Sequence, residues 1–148
     1  MADAPFDNPL DLARFVAAQD GGVFDRALAE IVVGKKRSHW MWFIFPQHRD
    51  LGRSDVALTY GLAGLDEARA FLAHPLLSRR LHAVAAAMLD QLRAGLTASE
   101  VLGPVDALKL GASMAIFAEA DPADPLFAAV VAALESVGGT MMPAARLN

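Results

Sequence analysis

The sequence has no cysteine. Disulfides, thiolate-bound metals and a cysteine nucleophile are therefore excluded. It also lacks any apolar run near the ~18 residues that a membrane-spanning helix needs. A positive excess is missing too: Asp and Glu number 17 against 13 for Lys and Arg, for a net charge of −4. That balance argues against a nucleic-acid binder, which is normally basic, and against electrostatic docking on an anionic membrane. No glycine-rich phosphate loop, dinucleotide fingerprint or nucleophile elbow is found. No His, Asp or Glu spacing matches a metal site, so neither a metal nor a cofactor is expected. Met1 to Asn8 carries acids and proline but no apolar signal core, which makes the cytoplasm the expected location. Aromatic residues are few, at 7%, with two tryptophans and one tyrosine.

Apolar residues are plentiful, at 55% of the 148 positions. Many are alanine, the best helix former. Apolar positions recur at helical spacing in successive segments. Leu10 to Gln19 presents Leu12, Phe15 and Val16 on one face. Phe24 to Val33 follows, stopped by Gly34. Ser54 can cap a short helix through Tyr60, and Asp66 to His74 forms another, ended by Pro75. The longest runs from Leu76 to Arg93. Thr97 with Glu100 is a capping-box pattern. Pro104 opens a helix to about Glu119, and Asp124-Pro125 opens the last, to about Val137. The run Trp40 to Phe45 suits either a buried strand or a buried helix; with no partner strand visible, a short helix started by Ser38 is expected. The fold class is thus all-α: one compact multi-helix domain over 1–148 with about six to eight helices, little or no strand, and loose termini at 1–8 and 140–148. A monomer or small homo-oligomer fits this size.

One stretch departs from the average. Lys35 to Gln47 holds both tryptophans, preceded by three consecutive cations. Arg49 and Arg53 follow, so the window 35–53 carries +4 against only Asp50, and the rest of the chain carries −8. Cations beside aromatics in an acidic protein suggest a site for a small anion such as a phosphate, carboxylate or nucleotide. The plain alternative is that the aromatics are core and the lysines merely favour a helix C-terminus.

The segments Gly34-Lys35-Lys36, Ser38 through Gln47, Leu51-Gly52-Arg53-Ser54 and Tyr60 resemble the bacterial and fungal family called domain of unknown function 1810. Further matches are His74-Pro75-Leu76, Arg80-Leu81, Gly103, Asp106, Lys109-Leu110, Ser113-Met114 and Phe117. The resemblance spans roughly residues 10 to 135. It implies a compact all-helical domain and no particular reaction. The family's usual hydroxyl residues are replaced here by Ala112 and Ala115.

Candidate roles follow from side-chain chemistry. His39 is a candidate general acid or base, with Asp106 and Lys109 as proton-handling and charge-stabilising partners three apart on one helix. Lys35 and Lys36 can hold an anion; Trp40 and Trp42 can stack on a flat ligand. Gln47 can read an amide or base edge. Arg53 and Ser54 can clamp an anion at a helix start. Tyr60 can line the pocket, and Ser113 shares the Lys109 face. His48, His74 and His82 look unconnected. Two functions remain open: a pocket for an anionic, nucleotide-like or sugar-phosphate ligand, with or without metal-independent hydrolase or transferase chemistry, or a protein-interaction module using an exposed tryptophan-rich patch.

Overall fold

Helix after helix follows the sequence pattern, and in the described part of this computed structural model, residues 11–141, there is no strand. Nine α-helices are found there: α1 (Ala13–Gln19), α2 (Val23–Val33), α3 (Met41–Ile44), α4 (Asp55–Tyr60), α5 (Leu65–Ala73), α6 (Pro75–Arg93), α7 (Ala98–Leu102), α8 (Pro104–Ala120) and α9 (Pro125–Met141). A 3-10 turn at Arg49–Leu51 precedes α4. No described helix is long and apolar enough to cross a membrane.

The ends of these helices obey local chemistry. Gly34 closes α2 with φ of 94°, a left-handed conformation that costs glycine nothing. Its N–H donates to Glu30 O and Ile31 O. Ser54 Oγ accepts from Ala57 N at 3.1 Å to start α4, and Thr97 with Glu100 completes the capping box of α7. His74 joins two helices, ending α5 and serving as the N-cap of α6, its Nδ1 accepting from Leu77 N. The last helix passes through Gly138 and Gly139 to Met141 rather than stopping before them. Of the ends expected to be loose, 1–8 and 140–148, Thr140 and Met141 belong to α9, and the rest lie outside the described residues.

The short helix expected from Ser38 starts later, at Met41. Ser38 does not cap it. Its hydroxyl donates to Glu30 Oε2 at 2.7 Å, because a bond to a carboxylate outcompetes a neutral cap.

Helix α6 packs against α2 and α9, and α8 packs against α5, α7 and α9. A file of rings runs through the centre. Phe15 meets Phe71 edge-on at 5.1 Å, Phe71 meets Phe117 at 5.3 Å, and Phe117 meets Phe127 at 5.7 Å. All four are buried, and each such side chain contributes about 1.5–3 kcal/mol by leaving water.

Arg14 fastens α1 to the corner between α4 and α5. It pairs with Glu67 through two bonds, Nη1 to Oε2 at 2.9 Å and Nη2 to Oε1 at 3.0 Å. It also donates to the carbonyls of Asp11, Thr59 and Gly61. At that corner Gly61 is so close to Arg49 that an added Cβ would stand 2.4 Å from the Arg49 Cα. The closeness allows an isolated bridge, in which Arg49 N donates to Leu62 O and Leu62 N to Gln47 O, both at 2.8 Å. Gln47 and Tyr60 are thereby held side by side.

Candidate functional site

The segment after α2 alternates in burial, one residue out and the next in. Lys35, Arg37 and His39 are exposed; Lys36 and Ser38 are half-buried and Trp40 is buried. Its backbone is fixed at each step. Lys35 N donates to Glu30 O at 2.9 Å and Lys36 N to Val101 O at 2.7 Å. Arg37 N and Ser38 N donate to Glu30 Oε1 at 2.9 and 3.1 Å, and Trp40 Nε1 donates to the same oxygen at 2.8 Å. Burial works to raise the Glu30 pKa. The bonds from Arg37 N, Ser38 Oγ, Trp40 Nε1 and Ser38 N outweigh it and hold the carboxyl at about 2. Glu30 therefore remains an anion at neutral pH and anchors the whole block.

On the inner side, Lys36 reaches Asp106 in the first turn of α8. Its Nζ lies 3.0 Å from Asp106 Oδ2, while Lys109 Nζ lies 3.5 Å from Oδ1. One carboxylate thus bridges two ammonium groups, near a helix start where negative charge is favoured. The pairs are largely covered, with side-chain exposures of 11% for Lys36, 18% for Asp106 and 24% for Lys109. Each lysine also faces an indole. Lys36 Nζ is 5.2 Å from the Trp40 ring and Lys109 Nζ is 5.2 Å from the Trp42 ring, both within cation–π range.

Beside Lys109 is a narrow cleft walled by Met41, Trp42, Phe45, Gln47, Tyr60 and Gly61. Its volume is about 10 Å³, room for one water at most. Tyr60 is half-buried and meets Phe43 edge-on at 5.3 Å. Ser113, one turn beyond Lys109 on α8, is fully buried, and its Oγ has no hydrogen-bond partner among the described residues.

Lys36, Trp42, Gln47, Tyr60, Asp106 and Lys109 thus come together from four parts of the chain. Other candidates do not join them. Trp40 is 1% exposed, with its N–H spent on Glu30 and its face under Lys36, so no ligand can stack on it. His39 and Lys35 fall on the outer side of the alternation. Arg53 and Ser54 are exposed, and the Ser54 hydroxyl caps the six-residue α4, away from the cleft lining. Among the described residues no three His, Cys, Asp or Glu side chains gather as metal ligands would.

A family model described as "Protein of unknown function (DUF1810)" matches residues 9–142. The chain belongs to the DUF1810 family. A crystal structure of the conserved hypothetical protein Rv1873 from Mycobacterium tuberculosis is similar, at 44% sequence identity and a TM-score of 0.82, over 88% of this chain and 91% of that one. No curated protein matches. In this DUF1810 chain the two alanines noted above differ in setting: Ala115 is exposed and Ala112 half-buried.

Two polar centres escaped the sequence reading. One is Glu30, which looks like any surface acid on an amphipathic helix. The other is His82, taken as unconnected. Its Nε2 lies 2.6 Å from Asp124 Oδ2 and its Nδ1 lies 2.6 Å from Ser78 O. Both partners are acceptors, so the contacts are fully satisfied by the doubly protonated ring. Burial works to lower the His82 pKa, but the Asp124 hydrogen bond, the Ser78 carbonyl and the nearby charges of Asp124 and Asp121 outweigh it and raise it. Ser78 Oγ stands 3.4 Å from Nδ1, but that nitrogen faces the Ser78 carbonyl at the shorter 2.6 Å, so the serine–base hydrogen bond of a Ser-His-Asp triad is not formed. Only the Asp124-Pro125 cap hinted at a fixed carboxylate there.

Proposed function

We propose that the Lys36–Asp106–Lys109 cluster and the Trp42 cleft bind a small anionic ligand with a flat ring, of the nucleotide or sugar-phosphate kind. The observation that carries this reading is the convergence of Gln47, Tyr60 and Lys109, distant in sequence, around the half-buried Trp42, with Lys36 joined to Lys109 through their shared partner Asp106. Packing alone has no need of two ammonium groups on one carboxylate with an amide and a phenol lining the cleft beside them. An anionic ligand would compete with Asp106 for the lysines. Its ring would take the face of Trp42 that Lys109 now covers. The cleft is too small for a ring as it stands, so entry requires the flexible Lys109 side chain to swing aside. Of the groups expected to handle protons, His39 stands apart, so the reading is one of binding rather than hydrolysis or transfer. The rival interaction module loses support because its anchors are covered, one tryptophan in the core and the other beneath Lys109.

The test is a thermal-shift screen with nucleotides, sugar phosphates and ADP-ribose. A ligand at a hundred times its Kd adds about 2.7 kcal/mol to the native state. The shift should vanish in Lys109→Gln and persist in His39→Ala. Absence of any shift across the panel would refute the reading.

A further inference from the structure

The outer side of the same segment forms a second surface, unrelated to the cleft. Arg26, Ala29 and Val33 of α2, with Glu30, Lys35 and Arg37, line a shallow hollow of about 210 Å³. The three cations are exposed, and none has a carboxylate partner within 4.0 Å among the described residues. The acid in the hollow, Glu30, keeps its charge but pairs with none of the three side chains, so three cations stand against one carboxylate. Both Glu30 oxygens are occupied by the donors from Arg37, Ser38 and Trp40. The floor is apolar, and the ridge beside it is unusually so: Val33 is 75% exposed and Val32 61%. A chain with net charge −4 thus keeps three free cations around an apolar hollow, and their rigid seat is provided by the Glu30 bonds.

We propose that this hollow is a docking surface for an acidic peptide segment of another protein, one carrying an apolar side chain among its carboxylates. Charge complementarity selects the acidic partner, and arginine forks suit carboxylates. The apolar floor selects a side chain that can enter it. The hollow has no aromatic residue on which a base could stack. Three cations are also fewer than the four to eight that typically mark a basic membrane-binding cluster.

The probe is a fluorescein-labelled peptide of aspartates flanking a central leucine, with binding read by anisotropy at low and moderate salt. The full-length protein is expected to bind it, and the variant with Leu replaced by Ser several-fold more weakly. The Arg26→Glu, Lys35→Glu, Arg37→Glu triple variant should bind at least about tenfold more weakly. Val33→Asp should also weaken binding. All four sites are exposed, and unchanged helical circular dichroism and Tm would establish that the variants fold. Lys109→Gln should bind the peptide normally, which separates this surface from the cleft. The proposal is overturned if the peptide fails to bind, if leucine and serine peptides bind alike, or if the triple variant binds as well as the wild type. Tighter binding to phosphatidylserine vesicles or single-stranded DNA than to the peptide would overturn it equally.

Discussion

Glu30→Ala is the substitution with the widest expected effect for its size. It strips the acceptor from four donors at once: Arg37 N, Ser38 N, Ser38 Oγ and Trp40 Nε1. The backbone groups and the serine hydroxyl are near enough to the surface to find water. The indole N–H belongs to a side chain 1% exposed and cannot. A stranded buried donor costs about 1–3 kcal/mol, and hydrogen bonds to a charged group contribute about 1.5–3 kcal/mol each. Because water recovers part of the rest, we expect a total loss of about 2–4 kcal/mol, or a Tm lower by about 5–15 °C at this chain length. Glu30→Gln keeps one acceptor oxygen and should lose less. The pH dependence checks the cause. The carboxyl is depressed from 4.5 to about 2, so its contribution is present above pH 4.5 and is lost as pH falls through 2. Urea denaturation of wild type and Glu30→Gln should therefore show a stability gap at pH 7 that closes between pH 4.5 and 2. A loss within about 0.5 kcal/mol for the alanine variant, the range of ordinary surface substitutions, would refute the reasoning, as would a gap that does not narrow in acid.

Glu67→Ala leaves the Arg14 guanidinium facing an empty, covered site and should cost about 3–5 kcal/mol by urea denaturation; a small effect would mean that water replaces the carboxylate. Ser113→Ala removes a buried hydroxyl that has no partner among the described residues, so Tm should hold or rise slightly, while a clear fall would reveal a bond to an ordered water. The His82–Asp124 contact has two limits. The raised His82 pKa makes its contribution complete below 6.5 and lost as pH rises through the folded value. The Asp124 pKa is lowered: burial opposes this, but the His82 bond, the Leu126 N–H and the His82 charge outweigh it. Its contribution is therefore present above 3.8 and lost as pH falls through the folded value. Asp124→Asn should consequently cost most between about pH 4 and 6.5 and progressively less in alkali, measured as the difference in urea midpoint from wild type; a constant cost at all pH values would assign the contact a purely neutral role.

The helices were legible because their signals are local. Apolar spacing, the Thr97–Glu100 box, the Asp124-Pro125 start and the Gly34 stop each act within a turn or two of chain, and each is found where expected. The convergence of Lys36 with Asp106 and Lys109 was only half legible. Asp106 and Lys109 declare their common face by spacing, but what faces them depends on how α8 lies beside the segment after α2, a long-range fact. Ser38 was misread because its competitor for hydrogen bonding, Glu30, lies eight residues back, outside any capping motif. Trp40 and His39 were assigned to a ligand site by chemical type; the alternation from Lys35 to Trp40 is a period-two pattern that sends one outward and the other into the core.

That alternation also determines which genetic changes the segment can survive. Substituting an outer residue alters one face and spares the other. Deleting Lys35 would exchange the two sets, sending Arg37 toward Asp106 and Lys36 to solvent, and it would pull the indole N–H off Glu30. Point changes on the outer face should accordingly be tolerated, whereas length in this stretch is under a constraint as strict as that on any core residue.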